Sequence, residues 1–162
     1  MNIYEIAMEK ELEVKEYYEK LAEESSHTGV KNIFMMLAAD EQRHFDAVLA
    51  LQNEADYEVL ANSPALEVAR EVLGEFIGDT VPASTLKDSL DSYQRALVIE
   101  TESIRFYEEI LESVTDKRLK KVLSTIYAQE KEHYTIVENL YEYVLKPEYF
   151  LEWGEFSNLR RL

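Results

Sequence analysis

Moved along itself by 89 residues, this sequence meets itself without a gap. Tyr4 falls on Tyr93, Ala7 on Ala96, Glu11 on Glu100 and Tyr18 on Tyr107. Further along, Lys31 falls on Lys120, Ala39 on Ala128, Glu41 on Glu130, His44 on His133, Val48 on Val137 and Leu51 on Leu140. Such a repeat is one supersecondary unit used twice. Within the first unit, Tyr4, Ala7, Glu11, Val14, Tyr18 and Leu21 follow one another at alternating steps of three and four. Ile33, Leu37, Glu41, His44, Val48 and Leu51 form a second row, also at steps of three or four. That spacing makes one buried stripe on an α-helix. The chain therefore reads as a duplicated helical hairpin, and two hairpins close into an all-α four-helix bundle.

Boundaries follow from the joints. Helices are expected over about residues 2–25 and 30–53, separated by the short polar stretch Ser25 to Gly29. A connection over about 54–89 holds Pro64, Gly74, Gly78 and Pro82. Ser63-Pro64 suits a helix start, because a serine cap and an early proline both match the unpaired N–H groups there. One short helix is expected at about 64–77. A crossover this long can return along the whole bundle, which allows the helices on either side of it to run parallel. The second hairpin is expected over about 90–114 and 117–145, ended by Pro147. A tail over 147–162, expected to hold a short helix, carries Tyr149, Phe150, Trp153, Phe156 and Leu159. That much apolar area should pack on the bundle or on a second subunit. The whole of 1–162 reads as one domain.

The polar members of the stripes carry the chemistry. Glu11 lies 16 residues before His27, and Glu41 and His44 lie 14 and 17 after it. At ~1.5 Å of rise per residue the three meet at one height of an antiparallel hairpin. Glu100, Glu130 and His133 do the same about Asp116. Packed together, the hairpins bring four glutamates and two histidines into one layer. Four buried carboxylates repel one another, and each ionised group costs several kcal/mol to desolvate. No Lys or Arg occupies the matching stripe positions. Two divalent ions would neutralise the four carboxylates, with one neutral nitrogen from each histidine, which is the ligand set of di-metal carboxylate bundles. The expected metal ligands are Glu11, Glu41, His44, Glu100, Glu130 and His133.

Spacing alone does not select them. All three histidines follow a glutamate by three residues, including His27 after Glu24. Sixteen helical steps from Glu11 turn His27 away from the stripe, and the repeat offers only Ser113 and Asp116 opposite that pair. His27 is expected to be a solvated residue of the joint. Tyr18 and Tyr107 follow Glu11 and Glu100 by seven on the same face. They are candidates to hydrogen-bond a ligand carboxylate or to act as redox-active phenols, against an ordinary role as core tyrosines. Asp40, one turn before His44, is a candidate acceptor that orients an imidazole behind the metal. Its repeat partner is Gln129, so this feature departs from the repeat.

The formal net charge of −16 sets the surroundings. So acidic a surface repels phosphate backbones and anionic lipid, which speaks against nucleic acid and membrane partners and favours cationic metals. The absence of cysteine excludes disulfides, iron–sulfur ligation and thiolate zinc sites. No run approaches the ~18 apolar residues of a membrane span, and no signal peptide is visible at the start. A cytoplasmic location is the expectation.

The motifs E-x6-Y (Glu11 to Tyr18), D-E-Q-R-H (Asp40 to His44), E-T-E-S-I-R-F-Y (Glu100 to Tyr107) and E-K-E-H (Glu130 to His133) resemble the rubrerythrin branch of the ferritin-like superfamily. The resemblance covers about residues 3–145 and implies a ferritin-like bundle with a non-haem di-iron centre, often in a homodimer. It implies two iron ions on the six ligands named above, with manganese or zinc as substitutes. It also implies reaction with peroxide or dioxygen, in defence against oxidative stress. Two departures stand out. Rubrerythrins typically carry a Cys-ligated rubredoxin domain, and this chain has no cysteine, so electrons must come from a separate donor such as a rubredoxin. They also carry a further glutamate one turn from the ligand at Glu100, where this chain has Leu97 and Ser103. Three functions follow in order: a di-iron oxidoreductase, a ferroxidase or iron storage or delivery protein, and a metal-stabilised structural module.

Overall fold

A computed structural model describes residues 1–55, 63–79 and 90–145. Among them are five helices and no strand: α1 (Ile3–Glu24), α2 (Thr28–Gln52), α3 (Ala65–Asp79), α4 (Leu90–Ser113) and α5 (Lys117–Leu145). The four long helices are the two expected hairpins, and α3 is the expected short helix of the crossover. The expected tail over 147–162 and its short helix lie outside the described residues.

Local chemistry sets the helix starts. Asn2 and Glu5 close a capping box on α1, each side chain taking the other's backbone N–H. Asp116 accepts from the Leu119 N–H at the start of α5 (2.8 Å). Ser63 accepts from the Ala65 N–H at the start of α3 (3.1 Å). The joint between α1 and α2 corrects one expectation: His27 is not merely solvated. It is the N-cap of α2, its Nδ1 accepting from the N–H groups of Gly29 and Val30 (3.1 and 3.3 Å), and its ring stands edge-on to Phe76 of α3 at 4.9 Å. The cap works because an imidazole nitrogen with a free lone pair accepts from backbone N–H groups as a side-chain oxygen does.

The contacts also fix directions. Tyr18 stacks on Phe34 while Glu11 meets His44, so α1 and α2 are antiparallel. Tyr18 reaches Glu100 while Tyr107 reaches Glu11, so α1 and α4 are antiparallel too. Consequently α2 and α4, on either side of the crossover, run parallel. Gly29 lets α3 come close to α2: a Cβ there would stand 2.9 Å from a Val72 methyl.

The core is divided along the bundle axis. One apolar cluster gathers Tyr18, Phe34, Leu37, Tyr93, Ile136 and Leu140, closed over by Leu73 and Phe76 of α3. The other gathers Ala7, Val48, Leu51, Tyr107, Ile110 and Ile126. Between the two lies a layer of buried polar side chains. Each large apolar side chain taken out of water stabilises the fold by ~1.5–3 kcal/mol. The two clusters thus hold in place a layer whose charges cannot stabilise it unaided.

Candidate metal centre

Six buried side chains make the layer: Glu11 from α1, Glu41 and His44 from α2, Glu100 from α4, and Glu130 and His133 from α5. They divide into two overlapping groups. Glu11, Glu41, His44 and Glu130 bring ligand atoms within 4.8 Å of one another, and so do Glu41, Glu100, Glu130 and His133. Glu41 and Glu130 belong to both groups. One shared carboxylate from each hairpin thus lies between two positions, and each position has one further glutamate and one histidine of its own.

Both imidazoles are turned the same way. His44 Nδ1 faces Glu130 (3.1 Å) and Glu11 (3.3 Å), while its Nε2 lies 2.7 Å from the Gln129 Oε1. His133 Nδ1 faces Glu41 (3.0 Å), while its Nε2 lies 2.8 Å from the Asp40 Oδ2. With Nε2–H donating outward, it is Nδ1 that faces the carboxylates: in the chain without bound cations it donates its proton to them, and on losing that proton it would present its lone pair to a metal. Asp40 therefore orients His133 of the other hairpin rather than its own neighbour His44. Gln129, which appeared in the sequence as a broken repeat, does the same for His44. In the sequence Gln129 gives no such signal by residue type, because it is not a carboxylate. The 89-residue offset carried the signal, since an amide oxygen accepts as a carboxylate oxygen does.

The tyrosines cross between hairpins as well. The Tyr18 hydroxyl donates to Glu100, and the Tyr107 hydroxyl donates to Glu11. Burial, reinforced by Glu100 at Tyr18 and by Glu11 at Tyr107, raises both phenols well above their ordinary pKa, so both stay protonated donors.

The electrostatics are those of a crowded anionic site. Burial, then the nearby Glu130, raises Glu100 to about 8. Burial, then Glu130 and Glu11, raises Glu41 well above the usual carboxylate range. Burial works against a charged imidazole, yet the surrounding carboxylates outweigh it and raise His44 and His133 well above the ordinary histidine value. Burial also opposes ionisation of Glu130, but hydrogen bonds from His133 and His44 win and hold it well below the carboxylate range. Protons thus offset the crowded charge in a chain without bound cations.

The donor set fits a pair of cations on a direct observation. Glu41, Glu100 and Glu130 each bury one Oε2 that has no hydrogen-bond donor among the described residues. Orphaned buried carboxylate oxygens are costly, and a metal ion would satisfy them. Oxygen donors with one imidazole per position suit iron, manganese or zinc.

A cavity lies near the layer on the α1–α4 side. Ser103, one turn beyond Glu100, lines this cavity of about 220 Å³ with Lys10, Glu13, Tyr17, Arg95 and Glu102, between α1 and α4. Leu97, the other position at which the resemblance implies a glutamate, packs against the apolar core. Among the described residues no helix is long and apolar enough to cross a membrane.

Comparison with known proteins adds one family. The chain matches the family described as rubrerythrin over residues 56–141, just over half its length. The match takes in Glu100, Glu130 and His133, while Glu11, Glu41 and His44 lie before it. No curated protein and no solved structure matches the chain.

Proposed function

The chain belongs to the rubrerythrin family, and from that premise we propose that it is a di-iron oxidoreductase acting on peroxide or dioxygen. The observation that carries this reading is the pair of overlapping four-residue groups sharing Glu41 and Glu130. In this proposal Glu11 and His44 hold one iron, Glu100 and His133 hold the other, and Glu41 and Glu130 serve both. When bound, such a pair would supply two-electron redox chemistry toward peroxide or dioxygen.

The remaining residues prepare the site. Asp40 and Gln129 hold the two imidazoles in the ligating tautomer. Tyr18 and Tyr107 fix one oxygen of Glu100 and Glu11 through protonated hydroxyls. The two apolar clusters keep bulk water from the layer along the bundle axis. Ser103 and Val14 lie one turn from Glu100 and Glu11 and both line the α1–α4 cavity, so the cavity ends within one helical turn of two of the ligands. The protein would work in the cytoplasm as a homodimer, its electrons supplied by a separate donor such as a rubredoxin.

Stopped-flow mixing of the anaerobic Fe(II)-loaded protein with H₂O₂ and with O₂ tests the reading. It predicts oxidation faster than that of free Fe(II) at the same pH. No acceleration with either oxidant would remove the oxidoreductase assignment. Iron retained as a large mineral core, seen by light scattering, would favour storage instead.

A further inference from the structure

The two hairpins repeat each other closely in the six ligands of the layer, so a difference directly behind the imidazoles stands out. At the repeat position 40/129 the residue behind each imidazole is a carboxylate in one hairpin and an amide in the other. We infer that the two metal positions are chemically unequal, and that Asp40 makes the position held by His133 the tighter one. This inference rests on the two-metal reading of the site.

The two surroundings differ in more than one contact. Asp40 is fully buried, and both its oxygens are engaged. Its Oδ1 takes the Arg43 guanidinium, and its Oδ2 takes both the Ser63 hydroxyl and His133 Nε2. Ser63 also caps α3, so the crossover helps to hold this carboxylate in place. His44 Nε2 meets a neutral amide oxygen instead, at 2.7 Å. An anionic acceptor pulls harder on an N–H than an amide does, which makes the opposite ring nitrogen a stronger donor to a metal. Arg43 moderates the effect, but its side chain is 41% exposed and shares its charge with solvent. The other ligands do not distinguish the positions, because each has one terminal glutamate, one donating tyrosine and the same two shared carboxylates.

Asp40 and Gln129 are positioning residues, and their effect is read on metal binding rather than on turnover. The probe is Co(II), followed by calorimetric titration and by proton NMR of the exchangeable, hyperfine-shifted imidazole N–H signals. The expected result is two ions per chain, bound in two steps, with one N–H signal appearing first. Asp40→Asn should weaken the tighter step ~10- to 100-fold and move that first signal alone. Gln129→Glu, which keeps the reach of the side chain, should tighten the weaker step and move the other signal. The inference is overturned if both variants change the two steps equally, or if both leave them unchanged. Should Asp40→Asn fail to fold, Gln129→Glu decides by itself: equal change in both steps, or none, overturns the inference. Binding of fewer than two Co(II) ions by the unmodified protein would instead remove the two-metal premise, and the inference with it.

Discussion

At the scale of single residues, the layer is made of groups placed where alone they would be costly. Glu100 shows the balance. It is fully buried, one of its oxygens accepts from Tyr18, and the other has no donor among the described residues. Removing a donor to a buried carboxylate costs ~1–3 kcal/mol. Tyr18→Phe and Tyr107→Phe should therefore each destabilise the protein by about that amount in chemical unfolding. Both variants should still bind two metal ions, since neither phenol is counted among the ligands. Much at this scale could be read in the sequence, because Glu11, Glu41, His44 and their repeats interrupt apolar stripes at positions where water cannot reach. What could not be read is where the flanking side chains point. Asp40 precedes Glu41, so on an isolated helix it belongs beside His44. Only the packing of α2 on α5 turns it to His133. His27 hid its role differently: a cap is a local backbone contact, and no periodicity reports it.

At the scale of elements, two hairpins and a short crossover helix share one joint. The start of α2 is capped by His27, whose ring rests on Phe76, and Gly29 sits in the gap between α2 and Val72. An alanine at Gly29 would gain helix propensity, but its methyl would meet a stiff β-branched side chain at 2.9 Å. Gly29→Ala should therefore destabilise the chain by ~1–2 kcal/mol in thermal unfolding, and adding Val72→Ala should recover part of that loss. The four long helices and α3 were all legible, because their stripes, Ser63-Pro64 and the polar joints speak through local sequence. The contact of α3 with the first joint was not legible. It depends on two segments more than forty residues apart meeting at a glycine.

At the scale of the molecule, charge governs stability. Glu41, Glu100, His44 and His133 all have folded-state pKa values above their ordinary ones. Each contributes stability that is fully present below its unfolded pKa and is lost as pH rises through the folded value. For Glu100 that window runs from 4.5 to about 8. Glu130 has the opposite sign, but its loss falls below 4.5, outside this window. The net charge of −16 adds self-repulsion in the same direction as the four raised groups. In the presence of a chelator, calorimetry should show the unfolding temperature falling from pH 5 to pH 9, with a shallower fall in Glu100→Gln. With metal bound the ligands are deprotonated, so the stabilisation gained from added metal should grow over the same range.

Residue, element and molecule meet in one claim, that two metal ions share Glu41 and Glu130. Metal analysis after anaerobic Fe(II) loading and desalting tests it most directly, comparing the unmodified chain with Glu41→Ala and His133→Ala. Two irons per chain are predicted in the first and well below two in each variant. An unchanged iron content in Glu41→Ala and His133→Ala would contradict the shared two-metal site.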